Sequence, residues 1–302
     1  MSQPLSTARG RDPRLDVLRG LALVMIFINH VPGNIYENLT SRNFGFSDAA
    51  EGFVLMSGIA TGLAYSVGFT RLPVMEAAMR VWLRARKLYV VHLAAIAAAI
   101  AIVGIGYYGY GTADLAKVLN FLRVAEQPAE AMVGVVTLGH QLGYFNILPL
   151  YVVLLMAAPA YMLVGLRSLP AMVGISMLVW IVAGSFRLNL PNYPGQGGWF
   201  FNPFAWQFLF VIGLAAGMSA RRGRALVPYN GWLFAAACAY LAFSLVWVWL
   251  RPGDLPGSSY VPFFIGGFDK AYLPLPRLLH VLALAYVLVN LTWVAQLARS
   301  RL

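Results

Sequence analysis

The chain has little of what water-soluble proteins are built from. Only 11% of its 302 residues are charged, against about a quarter in an ordinary soluble domain. Cys238 is its single cysteine, which excludes a disulfide framework and a thiolate metal site. Strands of about ten alternating residues are absent, which excludes a transmembrane β-barrel. Ligand spacings of the H-E-x-x-H type are also absent, so no metal is expected. The sequence shows no internal repeat of the inverted kind common in transporters. Acidic side chains are scarce: 11 stand against 22 basic ones, for a net charge of +11.

What is present is apolar. Hydrophobic residues make up 60% of the chain and the mean hydropathy is +0.70. Long apolar stretches recur along the whole length, each able to cross a bilayer core of about 30 Å as a helix. They predict an all-α polytopic membrane bundle of about eight spans, near 15–31, 49–68, 88–108, 146–165, 170–186, 203–219, 231–250 and 277–297. Pro- and Gly-rich punctuation separates them, as in Val31-Pro-Gly33 and Leu190 to Gly198. In a soluble protein the positive balance would suggest nucleic acid. Here the basic residues flank apolar spans, so the positive-inside rule explains them and no nucleic-acid partner is expected. Lys and Arg favour one side two-to-one, which predicts that both termini are cytoplasmic. The basic start leads into an apolar run with no small-x-small cleavage pattern, so it reads as an uncleaved first helix.

Two stretches are too polar to span. Residues 72–87 read as an amphipathic helix lying on the inner surface, and residues 112–143 as short surface helices outside. Gly58-Ile-Ala-Thr-Gly62 and Gly213-Leu-Ala-Ala-Gly217 are small-xxx-small patterns that let helices approach closely.

Arg19 and His30 are the polar residues that matter most in the first span. Eleven steps of roughly 100° make about three turns, so both lie on one face about 16 Å apart along the axis. Asp16, Leu23 and Ile26 share that stripe. A charged face is costly against lipid, so it is expected to face the protein or a wet cavity. Asp48 and Glu51 open the second span. They read either as a capping box or as carboxylates that orient the His30 imidazole and raise its basicity. His92 reads as locally satisfied, His140 as a solvated loop residue, and Arg277 with His280 as one face of the last span. Outer segments rich in aromatics and amides suit an interfacial belt or a carbohydrate surface. Asn146, Asn202, Trp206 and Gln207 stand in them.

Several blocks together resemble the OpgC family. They are Arg11-Asp-Pro-Arg-Leu-Asp-Val-Leu-Arg-Gly-Leu-Ala22, Ile28-Asn-His-Val-Pro-Gly33, Phe44-Gly-Phe-Ser-Asp-Ala-Ala-Glu51, Tyr144-Phe-Asn-Ile-Leu-Pro-Leu-Tyr151, Phe201-Asn-Pro-Phe-Ala-Trp-Gln207 and Arg277-Leu-Leu-His280. The Arg-x10-His spacing is similar to that of membrane acyltransferases in which the histidine is the base. The resemblance implies a membrane-bound O-acyltransferase of the bacterial inner membrane. It would move a succinyl group from succinyl-coenzyme A to periplasmic glucan hydroxyls, with no tightly bound cofactor. His30 would be the base, oriented by Asp48 or Glu51. Arg19, Arg80, Arg84, Arg86 and Lys87 would hold the anionic donor, and Asn146, Tyr151, Asn202, Trp206, Gln207, Arg277 and His280 would face the glucan. Family members usually continue into a further pair of spans, so one acyltransferase-like domain over 1–302 is expected, short of that pair. The residues alone leave open a proton-coupled transporter built on Asp16, Arg19 and His30.

Overall fold

Apolar runs closed by Pro, Gly and polar caps leave the chain little choice but helix, because every backbone group inside a bilayer must be satisfied within its own segment. The computed structural model describes residues 13–31, 33–250, 253, 255 and 257–291. Among these, eight helices have sixteen residues or more: α1 (Pro13–Asn29), α2 (Ala49–Tyr65), α3 (Val74–Tyr110), α4 (Ile147–Arg167), α5 (Leu169–Ser185), α6 (Pro203–Arg221), α7 (Gly231–Leu250) and α8 (Leu275–Asn290). Five helical segments are long and apolar enough to cross a membrane: Ala49–Arg71, α3, α4, α6 and α7. Of the expected last span, residues 292–297 fall outside the described residues.

The bundle is organised around α6. In its apolar stretch 83% of residues are inside the protein, against 11% for α7, so α6 is the central helix and α7 a peripheral one. α2 lies along α6, and the two Gly-xxx-Gly patterns face each other. A Cβ on Gly58 would strike the Phe210 carbonyl and lie 2.9 Å from the Leu214 nitrogen; one on Gly213 would strike the Leu55 carbonyl and lie 3.1 Å from the Ile59 nitrogen. Backbone therefore touches backbone, as the small-residue spacing anticipates. Because Leu55 meets Gly213 and Ile59 meets Gly217, the two helices run parallel. α4 and α5 complete the core with Leu154, Leu155, Met162, Met172 and Trp180.

Two expectations are corrected. Residues 72–87 are not a separate surface helix: they are the first part of α3, an unbroken helix of 37 residues. Their small-residue stripe, Ala77, Ala78, Val81 and Ala85, joins the core with Leu154, Ala158 and Met162 of α4. Trp82 Nε1 donates to the Met156 carbonyl at 3.2 Å. The amphipathic pattern was set by a protein partner rather than by a lipid surface. Secondly, the α1 stripe faces its neighbour only in part: Ile26 packs on α2, Asp16 and Arg19 are half-buried, and Leu23 and His30 are exposed. Leu18, Ala22, Met25 and Ile26 pack with Ala49 and Met56 of α2, while Leu23 is 53% exposed. The outer stretch forms the expected short helices Ala113–Val118, Leu122–Glu126 and Pro128–Val136, packed on the second half of α3 through Ile96, Val103 and Phe121.

Candidate functional site

Chemistry gathers where the end of α1 meets the starts of α2 and α8. Asn34 closes α1 by donating to the Ile28 carbonyl at 2.8 Å, which leaves His30 in the turn that follows. The His30 ring is exposed and stacks on Tyr144 with centroids 4.2 Å apart. Lys270 and Asp48 are within electrostatic reach of it.

Beside His30 lies a four-residue ion cluster. Asp48 caps α2 by accepting from Ala50 N (2.9 Å), and Glu51 returns the bond by accepting from Asp48 N (3.0 Å), so the capping-box reading holds. The remaining carboxylate oxygens turn to two cations. Arg277, on the first turn of α8, donates Nε to Glu51 at 2.7 Å and Nη2 to Asp48 at 3.3 Å. Lys270 pairs with the same Asp48 oxygen. Burial alone would raise the Asp48 carboxyl. The Lys270 and Arg277 charges, with bonds to Glu51 and Lys270, outweigh it and hold the group well below the usual carboxylate range. The carboxylates thus serve the cations, and no bond joins either to His30 among the described residues.

Lys270 is fixed from three sides. Its carbonyl accepts from Trp206 Nε1 at 3.0 Å, its turn is capped by Asp269 accepting from Ala271 N, and its ammonium lies over the Phe200 and Phe201 rings at 5.7 and 5.4 Å. Lys270 is not among the site residues that the sequence marks: it stands in a loop where nothing in its local spacing singles it out.

His280 is buried. Its Nδ1 lies 2.7 Å from Ser47 Oγ and also accepts from Ser47 N at 3.3 Å. Gly45 sits against the far side of the ring, where a Cβ would overlap Nε2. The pair locks the 44–47 segment onto α8. His140, expected in solvent, is 3% exposed; burial, then the Arg123 charge, hold its imidazole below the ordinary value. His92 is 0% exposed, and neither ring nitrogen has a hydrogen-bond partner among the described residues.

Several residues expected at a glucan surface instead build the scaffold. Asn202 is buried, accepting from Phe204 N and donating to the Leu188 carbonyl. Trp206 has no exposed surface on which a sugar could stack. Gln207 accepts from Tyr161 and Ser176 and donates to the Ser176 and Phe204 carbonyls. Its polar atoms are fully used. Tyr151 and Ser57 line an apolar crevice with no room for water, and Asn146 is half-buried just before α4. Arg19 and Asp16 are half-buried on α1. Arg80 pairs with Glu76 at 2.9 Å, and Arg84, Arg86 and Lys87 are exposed on the side of α3 turned from the core.

An all-helical chain with several membrane-length apolar helices, and one exposed histidine beside a buried ion cluster, belongs to the class of polytopic membrane proteins with a polar site at one end. A family model described as OpgC protein matches residues 11–302, so the chain belongs to the OpgC family. That membership implies acyltransferase chemistry. Comparison with curated proteins and with solved structures gives no match.

Proposed function

We propose that the chain transfers a succinyl group from cytoplasmic succinyl-coenzyme A to hydroxyls of periplasmic glucan in the bacterial inner membrane, with His30 as general base. The observation that carries this reading is selective access. His30 is exposed, whereas His92, His140 and His280 are 0%, 3% and 5% exposed. The stacked Tyr144 ring restrains the imidazole without consuming its nitrogens.

In this reading His30 takes the proton of a glucan hydroxyl as that oxygen attacks the thioester carbonyl. The tetrahedral oxyanion forms near the Lys270 ammonium, held in place by Asp48 and by the Trp206 bond to its backbone. Collapse breaks the carbon–sulfur bond, and the proton on His30 passes to the departing thiolate. Asp48 and Glu51 contribute by fixing Lys270 and Arg277 rather than by touching the base. The transporter reading needs Asp16, Arg19 and His30 as a relay inside the protein. The exposed position of His30, in the turn after α1, does not favour it.

The test is mass spectrometry of periplasmic glucans from cells carrying wild type, His30→Ala or His30→Gln at matched membrane levels. Loss of a general base predicts a fall in succinylation of about 10²-fold or more. Succinylated glucan at wild-type levels in both variants would remove His30 from the role.

A further inference from the structure

At the end of the bundle opposite His30, the last turns of α2, α4 and α6 leave a cavity of about 130 Å³. Ser66, Val67 and Thr70 line one wall, Leu166 another, and Met218, Arg221 and Arg222 the third. At about 30 Å³ per water, this is room for roughly four waters or one small tetrahedral anion. Ser66 is only 5% exposed, so a hydroxyl is kept inside a wall that could have been apolar.

The charge here is unbalanced. Arg222 donates to the Gly165 carbonyl at 3.3 Å. Among the described residues no carboxylate pairs with Arg221 or Arg222. The sequence explains why: no Asp or Glu occurs between Glu130 and Asp254, so α4 to α7 contribute none. The opposite end is built the other way, with Lys270 and Arg277 both held by carboxylates. Arginines that only mark the cytoplasmic side need no cavity. Two guanidinium groups without an anion, beside hydroxyls in a concave wall, are a donor set suited to phosphate oxygens.

We propose that this cavity is a phosphate-binding site. Resting on the acyl-transfer reading, we take the nucleotide head of the acyl donor as the phosphate's source. Ser66, which follows the last residue of α2 within the helical segment Ala49–Arg71, comes fifteen residues after Glu51, about 22 Å along the axis. A donor held by its phosphates at this end would extend its thioester arm along the bundle toward His30. Arg221 and Arg222 are exposed like Arg84, Arg86 and Lys87, but they border a concavity together with the buried Ser66.

The test uses the full chain purified in maltoside detergent and two probes: coenzyme A by calorimetry, and phosphatidylglycerol retention by native mass spectrometry. The double variant Arg221→Gln/Arg222→Gln is expected to weaken coenzyme A binding at least about tenfold, with partial recovery for Arg221→Lys/Arg222→Lys. Ser66→Val keeps both charges and should weaken binding too, which guards against a folding defect in the arginine variant. If only lipid retention falls, the phosphate site stands and its source is a headgroup. If neither probe binds, or neither responds to any variant, the proposal is overturned. Binding is read without turnover, so this inference and the role of His30 fail separately.

Discussion

Arg277 is the residue on which the outer end depends most. Glu51 is 0% exposed, and its carboxylate is tolerable there because the guanidinium bridges it to Asp48. Arg277→Ala would leave buried negative charge without a partner, a change that costs about 3–5 kcal/mol. A clear fall in melting temperature in detergent is expected, and Arg277→Lys should recover only part of it because an ammonium lacks the fork. A melting temperature unchanged by Arg277→Ala would show that the cluster does not hold the site together. Asp48 adds a pH dependence of known sign. Its folded value lies below the ordinary one, so its contribution is complete above about pH 4–5 and is lost as pH falls from there toward the folded value. The stability difference between wild type and Asp48→Asn should be flat from about pH 7 to about 5 and shrink as pH falls further. Half of this cluster was legible. The three-residue spacing of Asp48 and Glu51 announced a capping box, but Arg277 lies 226 residues from Glu51. A local pattern cannot show which distant cation claims the free oxygens, so the sequence leaves His30 open as their partner beside the capping box.

Between helices, the contact of α2 with α6 is the one with least freedom. Gly58, Gly62, Gly213 and Gly217 each face backbone of the other helix so closely that a methyl group has no space. In an open helix, replacing Gly by Ala is favourable by about 0.5–1 kcal/mol. At Gly58 or Gly213 the sign should reverse, because the helices must separate, an overpacking cost of about 1–3 kcal/mol. Gly174 on α5 has nothing within 4 Å of its ideal Cβ, so Gly174→Ala is the control. Melting temperatures should fall for Gly58→Ala and Gly213→Ala and hold or rise for Gly174→Ala; equal behaviour of all three would contradict the close approach. This element pair was legible because spacing alone encodes it. The start of α3 was misread for a related reason. A stripe of Ala and Val opposite Arg and Lys specifies an apolar partner without saying whether that partner is lipid or α4. The hydrogen bond from Trp82 to Met156 decides it for protein.

Across the whole molecule, the two ends of the bundle differ in how their charges are satisfied, and that difference carries an orientation. At the end with His30, Asp48 and Glu51 pair with Lys270 and Arg277, whereas among the described residues no carboxylate pairs with Arg221 or Arg222 at the other end. Alternating directions through α2 to α6 require α2 and α6 to run the same way, as their facing glycines do. An acyl donor made in the cytoplasm must enter at the unpaired basic end if it is to reach His30 from inside, which agrees with the positive-inside count. Labelling can test this because Cys238 is the only native thiol. In a Cys238→Ser background, a cysteine placed at Tyr260, 92% exposed on the His30 side, should react with an impermeant maleimide in intact spheroplasts. One placed at Arg224, exposed beyond α6, should react only after lysis. The opposite pattern would put the basic cavity outside, where no cytoplasmic donor could reach it. Both the transmembrane route and the phosphate assignment to that donor would then fall together, while the ion cluster and the helix packing would stand.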